Sequence, residues 1–174
     1  MNTDGPPDKL SIVVYDHHFD KVHYALVTAS AAVAIGKAVT LFFTMGACQA
    51  LMTADASRPH GWATMALSDG PGDGQERNQF YQENGVATFE ELIEACSTLG
   101  VTFMVCEMGL RAKKLEGSGL RKDLGIEISG MVTFLNDASK NGAMLFRMHS
   151  TGHHQTCHYS SSVGEPAHHH NQKY

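Results

Sequence analysis

Short apolar runs of strand length recur along this chain, and most are followed by a segment with helical spacing. The runs cover residues 10–15, 38–44, 101–106 and 143–148, and residues 126–128 are a further, brief candidate strand. Runs of Val, Ile, Leu and Phe without polar alternation are typical of strands buried on both faces of a sheet. Their alternation with helices predicts an α/β fold, with a doubly wound, mostly parallel sheet of about five strands and helices on both faces.

The helices have recognisable start and stop signals. Residues 22–35 form an apolar helical segment that Asp20 can cap and Gly36 ends. Thr88 followed by Glu91 is a capping-box pattern and predicts a second helix that ends at Gly100. Shorter helices are expected over 108–115 and 130–140.

The chain is expected to form one domain. Residues 1–8 are predicted to be an N-terminal arm, 9–148 the α/β domain, and 149–174 a flexible tail rich in Ser, Gly and His. Residues 53–84 collect Gly, Pro, Asp and Asn and are predicted to be a long loop. If this loop lies beside the functional edge of the sheet, it is expected to act as a lid, to contact a partner or to be a plain linker.

Composition excludes several classes of function. The net charge is −5 and Lys and Arg are scattered, so no nucleic-acid partner is expected. No apolar run approaches the roughly 20 residues of a transmembrane helix, and no signal pattern precedes the first strand, so a cytoplasmic location is expected. The four cysteines lack paired spacing, which predicts reduced thiols without a zinc ribbon or a disulfide framework. No cofactor is expected.

In open parallel sheets, functional groups gather at the carboxyl ends of the strands. Three segments are expected at that edge: 16–18, 46–48 and 106–109. Gly46, Met108, Gly109 and Arg111 are therefore candidate substrate-binding residues.

Cys106 is the candidate catalytic residue. A thiol just before a helix is favoured as the reactive thiolate, and Arg111 adds positive charge nearby. The alternative is that Cys106 is a small buried apolar residue. Cys48 also ends a strand-to-helix turn and is either an auxiliary thiol or a packed residue. Cys96 is assigned to the core.

The histidines are interpreted in two groups. His17, His18 and His23 are expected to be solvated loop residues, since consecutive side chains point in different directions. In the tail, His153, His154, Cys157 and His158 are weak candidates for metal binding, although their spacing matches no closed structural site.

Three stretches of the chain carry a resemblance to a known family. Residues 21–47 contain VTLFFTMGA, residues 87–115 contain GVTFMVCEMG, and residues 130–146 contain GMVTFLNDASKNGAMLF. Together they resemble the DsrE/DsrF-like sulfur-relay superfamily, in particular its DsrE/DsrF/DsrH-like branch. The resemblance implies a flavodoxin-like sheet, a homo-oligomer that is trimeric or of related symmetry, and a persulfide carried on Cys106. It also implies partners such as a rhodanese, a TusA-like sulfur carrier or heterodisulfide-reductase-like proteins.

The sequence is therefore compatible with three functions. The first is a sulfur carrier or sulfurtransferase that uses Cys106. The second is a non-catalytic oligomeric binding or assembly module in which Cys106 is merely buried. The third is a thiol redox protein of the peroxidase type, which needs a resolving cysteine, and Cys48 is the candidate for that role.

Overall fold

Five parallel strands form the centre of the structure. It is a computed structural model that describes residues 8–138 and the backbone of residues 143–147. In chain order the strands are β1 (Lys9–Val14), β2 (Ala38–Phe43), β3 (Thr102–Cys106), β4 (Glu127–Ser129) and β5 (Ala143–Arg147). Their order across the sheet is β4-β3-β2-β1-β5, and every neighbouring pair is parallel.

Helices connect the strands. The α-helices are α1 (Phe19–Ala34), α2 (Gly74–Glu83), α3 (Phe89–Thr98), α4 (Glu107–Lys113) and α5 (Met131–Asp137). Short 3₁₀ helices cover Met45–Leu51, Gly61–Thr64 and Gly117–Gly119. None of the helices in the described ranges is long and apolar enough to cross a membrane.

The strand order places helices on both faces of the sheet. From β1 to β4 each connection leads to the adjacent strand, always in the same direction across the sheet. Because such crossovers are right-handed, the helices of connections that run in one direction lie on one face of the sheet. The return from β4 to β5 runs the opposite way and places α5 on the other face. The predicted flavodoxin-like, doubly wound parallel sheet is thus confirmed.

The two faces carry separate cores of unequal size. The larger core packs the sheet against α1, α3 and the 3₁₀ helix Met45–Leu51. The smaller core, called here the α5 core, packs the other face against Phe134 of α5. It consists of Val13, Phe42, Met104, Cys106 and Phe134.

The prediction of a long loop over 53–84 is wrong. This stretch holds the 3₁₀ helix Gly61–Thr64 and α2, and Trp62 is buried in the larger core. Asp73 and Glu76 form a capping box that begins α2, a signal present in the sequence. Helix α2 has few apolar residues, so hydrophobic periodicity did not reveal it.

The other helix caps agree in part with expectation. Thr88 and Glu91 form the predicted capping box at α3, and Gly100 follows that helix with φ of 85°. The residue before α1 is His18 rather than Asp20. The Asp20 carboxylate instead accepts hydrogen bonds from the amide and hydroxyl of Ser68, which ties α1 to the segment before α2.

Candidate functional site

Loops from three neighbouring strands meet at the carboxyl edge of the sheet, as the sequence predicted. A Cβ atom at Gly46, after β2, would lie 2.4 Å from the Cβ of His17, after β1. A Cβ atom at Gly109, after β3, would lie 2.5 Å from the amide nitrogen of Met45. Glycine at 46 and 109 therefore allows the three loops to come into contact.

Cys106 is the last residue of β3 and immediately precedes α4. The residue is 3 % exposed and belongs to the α5 core, which also contains Phe134. The structure thus places this thiol at the expected end of the expected strand, beneath an apolar cover.

Cys48 lies in the 3₁₀ helix after β2 and is completely buried in the larger core. Its thiol donates a 3.6 Å hydrogen bond to the Phe43 carbonyl. Burial raises the pKa of Cys48 to about 12, and its electrostatic interaction with the nearby Cys106 side chain adds to the increase. Cys48 is therefore a protonated neighbour of Cys106 at neutral pH. Cys96 lies in the core as predicted.

The remaining candidate residues of α4 differ in exposure. Met108 is 68 % exposed, and Gly109 is buried against Met45 and Cys48. Arg111 forms a 2.5 Å ion pair with Glu107 on the exposed side of α4. That pairing offsets the positive charge expected to act at Cys106. His153, His154, Cys157 and His158 lie outside the described residues.

Ser129 is a neighbour of Cys106 that the sequence analysis missed. It ends β4 directly opposite Cys106, so the two side chains share a face of the sheet. The Ser129 hydroxyl is buried, and no hydrogen-bond partner for it lies within the described ranges. A buried hydroxyl beside a thiol is suited to donate a hydrogen bond to an added anionic group.

Asp16, His17 and His18 converge after β1, and the expectation that these histidines point apart is wrong. The Asp16 carboxylate accepts hydrogen bonds from the amide and the Nδ1 of His18, at 3.0 and 2.7 Å. This local turn folds residue 18 back toward residue 16. The rings of His17 and His18 pack with centroids 3.9 Å apart.

His23 is also not a solvated loop histidine. It lies in α1, where it is buried, and its Nε2 donates a 2.8 Å hydrogen bond to the Ala87 carbonyl. Burial lowers the pKa of His23. The ring packs against Tyr81 of α2 and therefore has a structural role.

A cavity of about 310 Å³ opens at this edge and is lined by His17, Gly46, Met65 and Lys113, among others. A second cavity, of about 270 Å³, shares Gln49, Thr64 and Leu115 with the first. The edge thus combines a recess on the side of the larger core with the Cys106 thiol on the opposite side of β3.

Comparison with a solved structure supports the fold. The structure of MTH1491 from Methanobacterium thermoautotrophicum, a protein of unknown function, is similar with a TM-score of 0.52 and 11 % identity, over 80 % of this chain and 98 % of that one. The chain shares the fold of MTH1491.

Two further similarities and one negative result complete these comparisons. The uncharacterized protein YrkE of Bacillus subtilis is 27 % identical over 156 residues, which cover 79 % of this chain and 96 % of YrkE. The YchN protein of E. coli is similar over 80 % of this chain and 99 % of that one, with a TM-score of 0.47 and 15 % identity. No protein-family model matches the chain.

Proposed function

We propose that this protein is a persulfide carrier or sulfurtransferase of the DsrE/DsrF-like kind, with Cys106 as the sulfur-accepting residue. The observation that carries the proposal is the position of Cys106 at the carboxyl end of β3, beside the buried Ser129 hydroxyl. The resemblance of residues 21–146 to that superfamily supports it.

The proposed reaction is a transfer of sulfane sulfur. The Cys106 thiolate attacks the outer sulfur of a donor persulfide, a sulfur–sulfur bond forms at Cys106, and the donor leaves as its thiolate. With thiosulfate as donor, sulfite leaves instead. An acceptor thiolate then attacks the outer sulfur of the Cys106 persulfide and releases the Cys106 thiolate. Charge and electrons balance in each step without an added oxidant.

The surroundings of Cys106 suit an anionic persulfide. The Ser129 hydroxyl is available to donate a hydrogen bond to the outer sulfur. Met108 lies close in sequence and is exposed, so it is placed to contact a partner protein that delivers or collects sulfur. Since Cys106 is buried in the α5 core, its thiol must become more exposed before it can react with a partner protein.

Cys48 is proposed to assist packing rather than chemistry. A thiol whose pKa is raised to about 12 by burial is a poor nucleophile at neutral pH and a poor resolving cysteine. This argues against the redox function that pairs Cys48 with Cys106.

The second candidate is a non-catalytic assembly module, favoured by the 3 % exposure of Cys106. Both candidates are expected to form homo-oligomers and to act in the cytoplasm. A rhodanese, a TusA-like carrier and heterodisulfide-reductase-like proteins are the partners proposed for the sulfur carrier.

The test is intact-protein mass spectrometry after incubation with polysulfide or thiosulfate, followed by mild reduction. Wild type is expected to gain sulfur atoms that reductant removes, and Cys106→Ser to gain none. Cys48→Ser is the matched control, because it removes a neighbouring buried thiol, and it is expected to load as wild type does. Loading of Cys106→Ser, or no loading of wild type, would favour the assembly module.

A further inference from the structure

Three side chains with metal-binding atoms lie together after β1. One ligand atom from each of Asp16, His17 and His18 lies within 4.8 Å of the others. The Oδ1 atom of Asp16 is 3.9 Å from Nδ1 of His17 and 2.7 Å from Nδ1 of His18. The second distance is that of a hydrogen bond, so a metal ion bound at the His18 Nδ1 would displace the proton of that bond. Ligand atoms around a four-coordinate ion with bonds of about 2.0–2.1 Å are roughly 3.3 Å apart. The distances from Asp16 to His18 and to His17, 2.7 and 3.9 Å, lie on either side of that value.

The backbone holds this group in place. The hydrogen bond from the His18 amide to the Asp16 carboxylate fixes the turn, and the amide belongs to the residue immediately before α1. Gly46 packs directly against the Cβ of His17, which restricts that side chain from the β2 side. A ligand set fixed in this way loses little conformational freedom when an ion binds.

The burial of the three residues differs in a way that suits an ion at the edge of the protein. Asp16 is 2 % exposed, and a carboxylate in a poorly solvated position is stabilised by an adjacent cation. The His17 side chain is 56 % exposed, and His17 also lines the cavity of about 310 Å³. An ion held by the three residues is thus reachable from solvent.

We propose that Asp16, His17 and His18 bind a divalent transition metal of the zinc class, with a fourth position open toward the cavity. Two imidazole nitrogens and one carboxylate oxygen are a ligand set that Zn²⁺ accepts, and three protein ligands leave a position for water or an exogenous group. Lys113 lines the same cavity, so the fourth ligand it favours is an anion. The site is separate from the Cys106 thiol and does not depend on the proposed sulfur transfer.

The test measures Zn²⁺ and Co²⁺ binding to the full chain. The histidines between residues 149 and 170 are replaced by Asn in all samples, because they bind the same metals. Isothermal titration with Zn²⁺ is expected to show one equivalent, and Co²⁺ to give the visible absorption of a four- or five-coordinate ion. His17→Ala is expected to weaken binding about tenfold or more.

Two variants keep the outcome clear. The His17 side chain is largely exposed, so His17→Ala is expected to fold, which its thermal unfolding temperature without metal checks. His60→Ala removes a histidine outside the cluster and is expected to bind metal as its parent does. Absence of any equivalent in the parent, or unchanged binding in His17→Ala, would overturn the proposal.

Discussion

Gly109 of α4 lies so close to Met45 that a Cβ atom at position 109 would be 2.5 Å from the Met45 amide nitrogen. Met45 itself has φ of 50°, in the left-handed region that residues other than glycine seldom adopt. The loops after β2 and β3 are thus held in contact by one residue without a side chain and one in a strained conformation.

We expect Gly109→Ala to lower the free energy of unfolding by about 1–3 kcal/mol, because the added methyl meets backbone that has no room to move. The change also brings the methyl near the Cys48 thiol, 3.1 Å away. Urea unfolding followed by circular dichroism measures the effect. Gly70→Ala is the control, since no atom lies within 4 Å of a Cβ there. Equal stabilities of the two variants would contradict the packing described.

Phe134 is expected to control access to Cys106. Phe134 is completely buried and stacks on Phe42, in the same core as the thiol. Phe134→Leu loosens this cover and should increase the rate at which iodoacetamide alkylates Cys106, as peptide mass spectrometry measures. Phe103→Leu is the matched control, because Phe103 is equally buried but lies in the larger core. If both variants accelerate alkylation equally, general destabilisation is the cause.

Cys48 and Cys96 are expected to resist alkylation in the native protein at pH 8. Burial raises the pKa of Cys48 to about 12 and that of Cys96 to about 11, so very little of either thiol is ionised. Iodoacetamide should label both only after unfolding in urea. Labelling of Cys48 at the same rate with and without urea would show that its thiol is not buried.

His23 is expected to make stability depend on pH. Burial lowers its pKa in the folded state below the ordinary value of 6.5, so the unfolded chain binds the proton more readily. The contribution of His23 is therefore present above about pH 6.5 and is lost as the pH falls through the lowered pKa. His23→Gln, which retains a donor for the Ala87 carbonyl, should lose less stability between pH 7 and pH 5 than wild type in urea unfolding. An identical loss in both proteins would show that His23 does not titrate differently on folding.

The sequence predicted those parts of the structure that short stretches determine. The strand ending in Cys106 is apolar from Phe103 onward, and the capping box at Thr88 is a four-residue signal. Because strands of a parallel sheet end at one edge, the meeting of the loops at 16–18, 46–48 and 106–109 also followed from the pattern.

Other features depend on contacts between distant residues. Cys106 is buried in a core that brings together residues of β1, β2, β3 and α5, and His23 is buried where Tyr81 and the Ala87 carbonyl meet α1. The convergence of Asp16, His17 and His18 depends on a side-chain hydrogen bond that reverses the loop, which strand and helix patterns do not encode. For Ser129, only knowledge of which strands pair identifies it as a neighbour of Cys106.

The strand order also affects how the protein is made. β1 lies between β2 and β5, with Leu10 opposite Ala143, so the earliest of the described strands to be synthesised pairs with the latest of them. Until β5 is synthesised, one side of β1 exposes unpaired backbone groups and is a site where nascent chains can associate. We therefore expect completion of the sheet to be a late, non-local and comparatively slow step of folding.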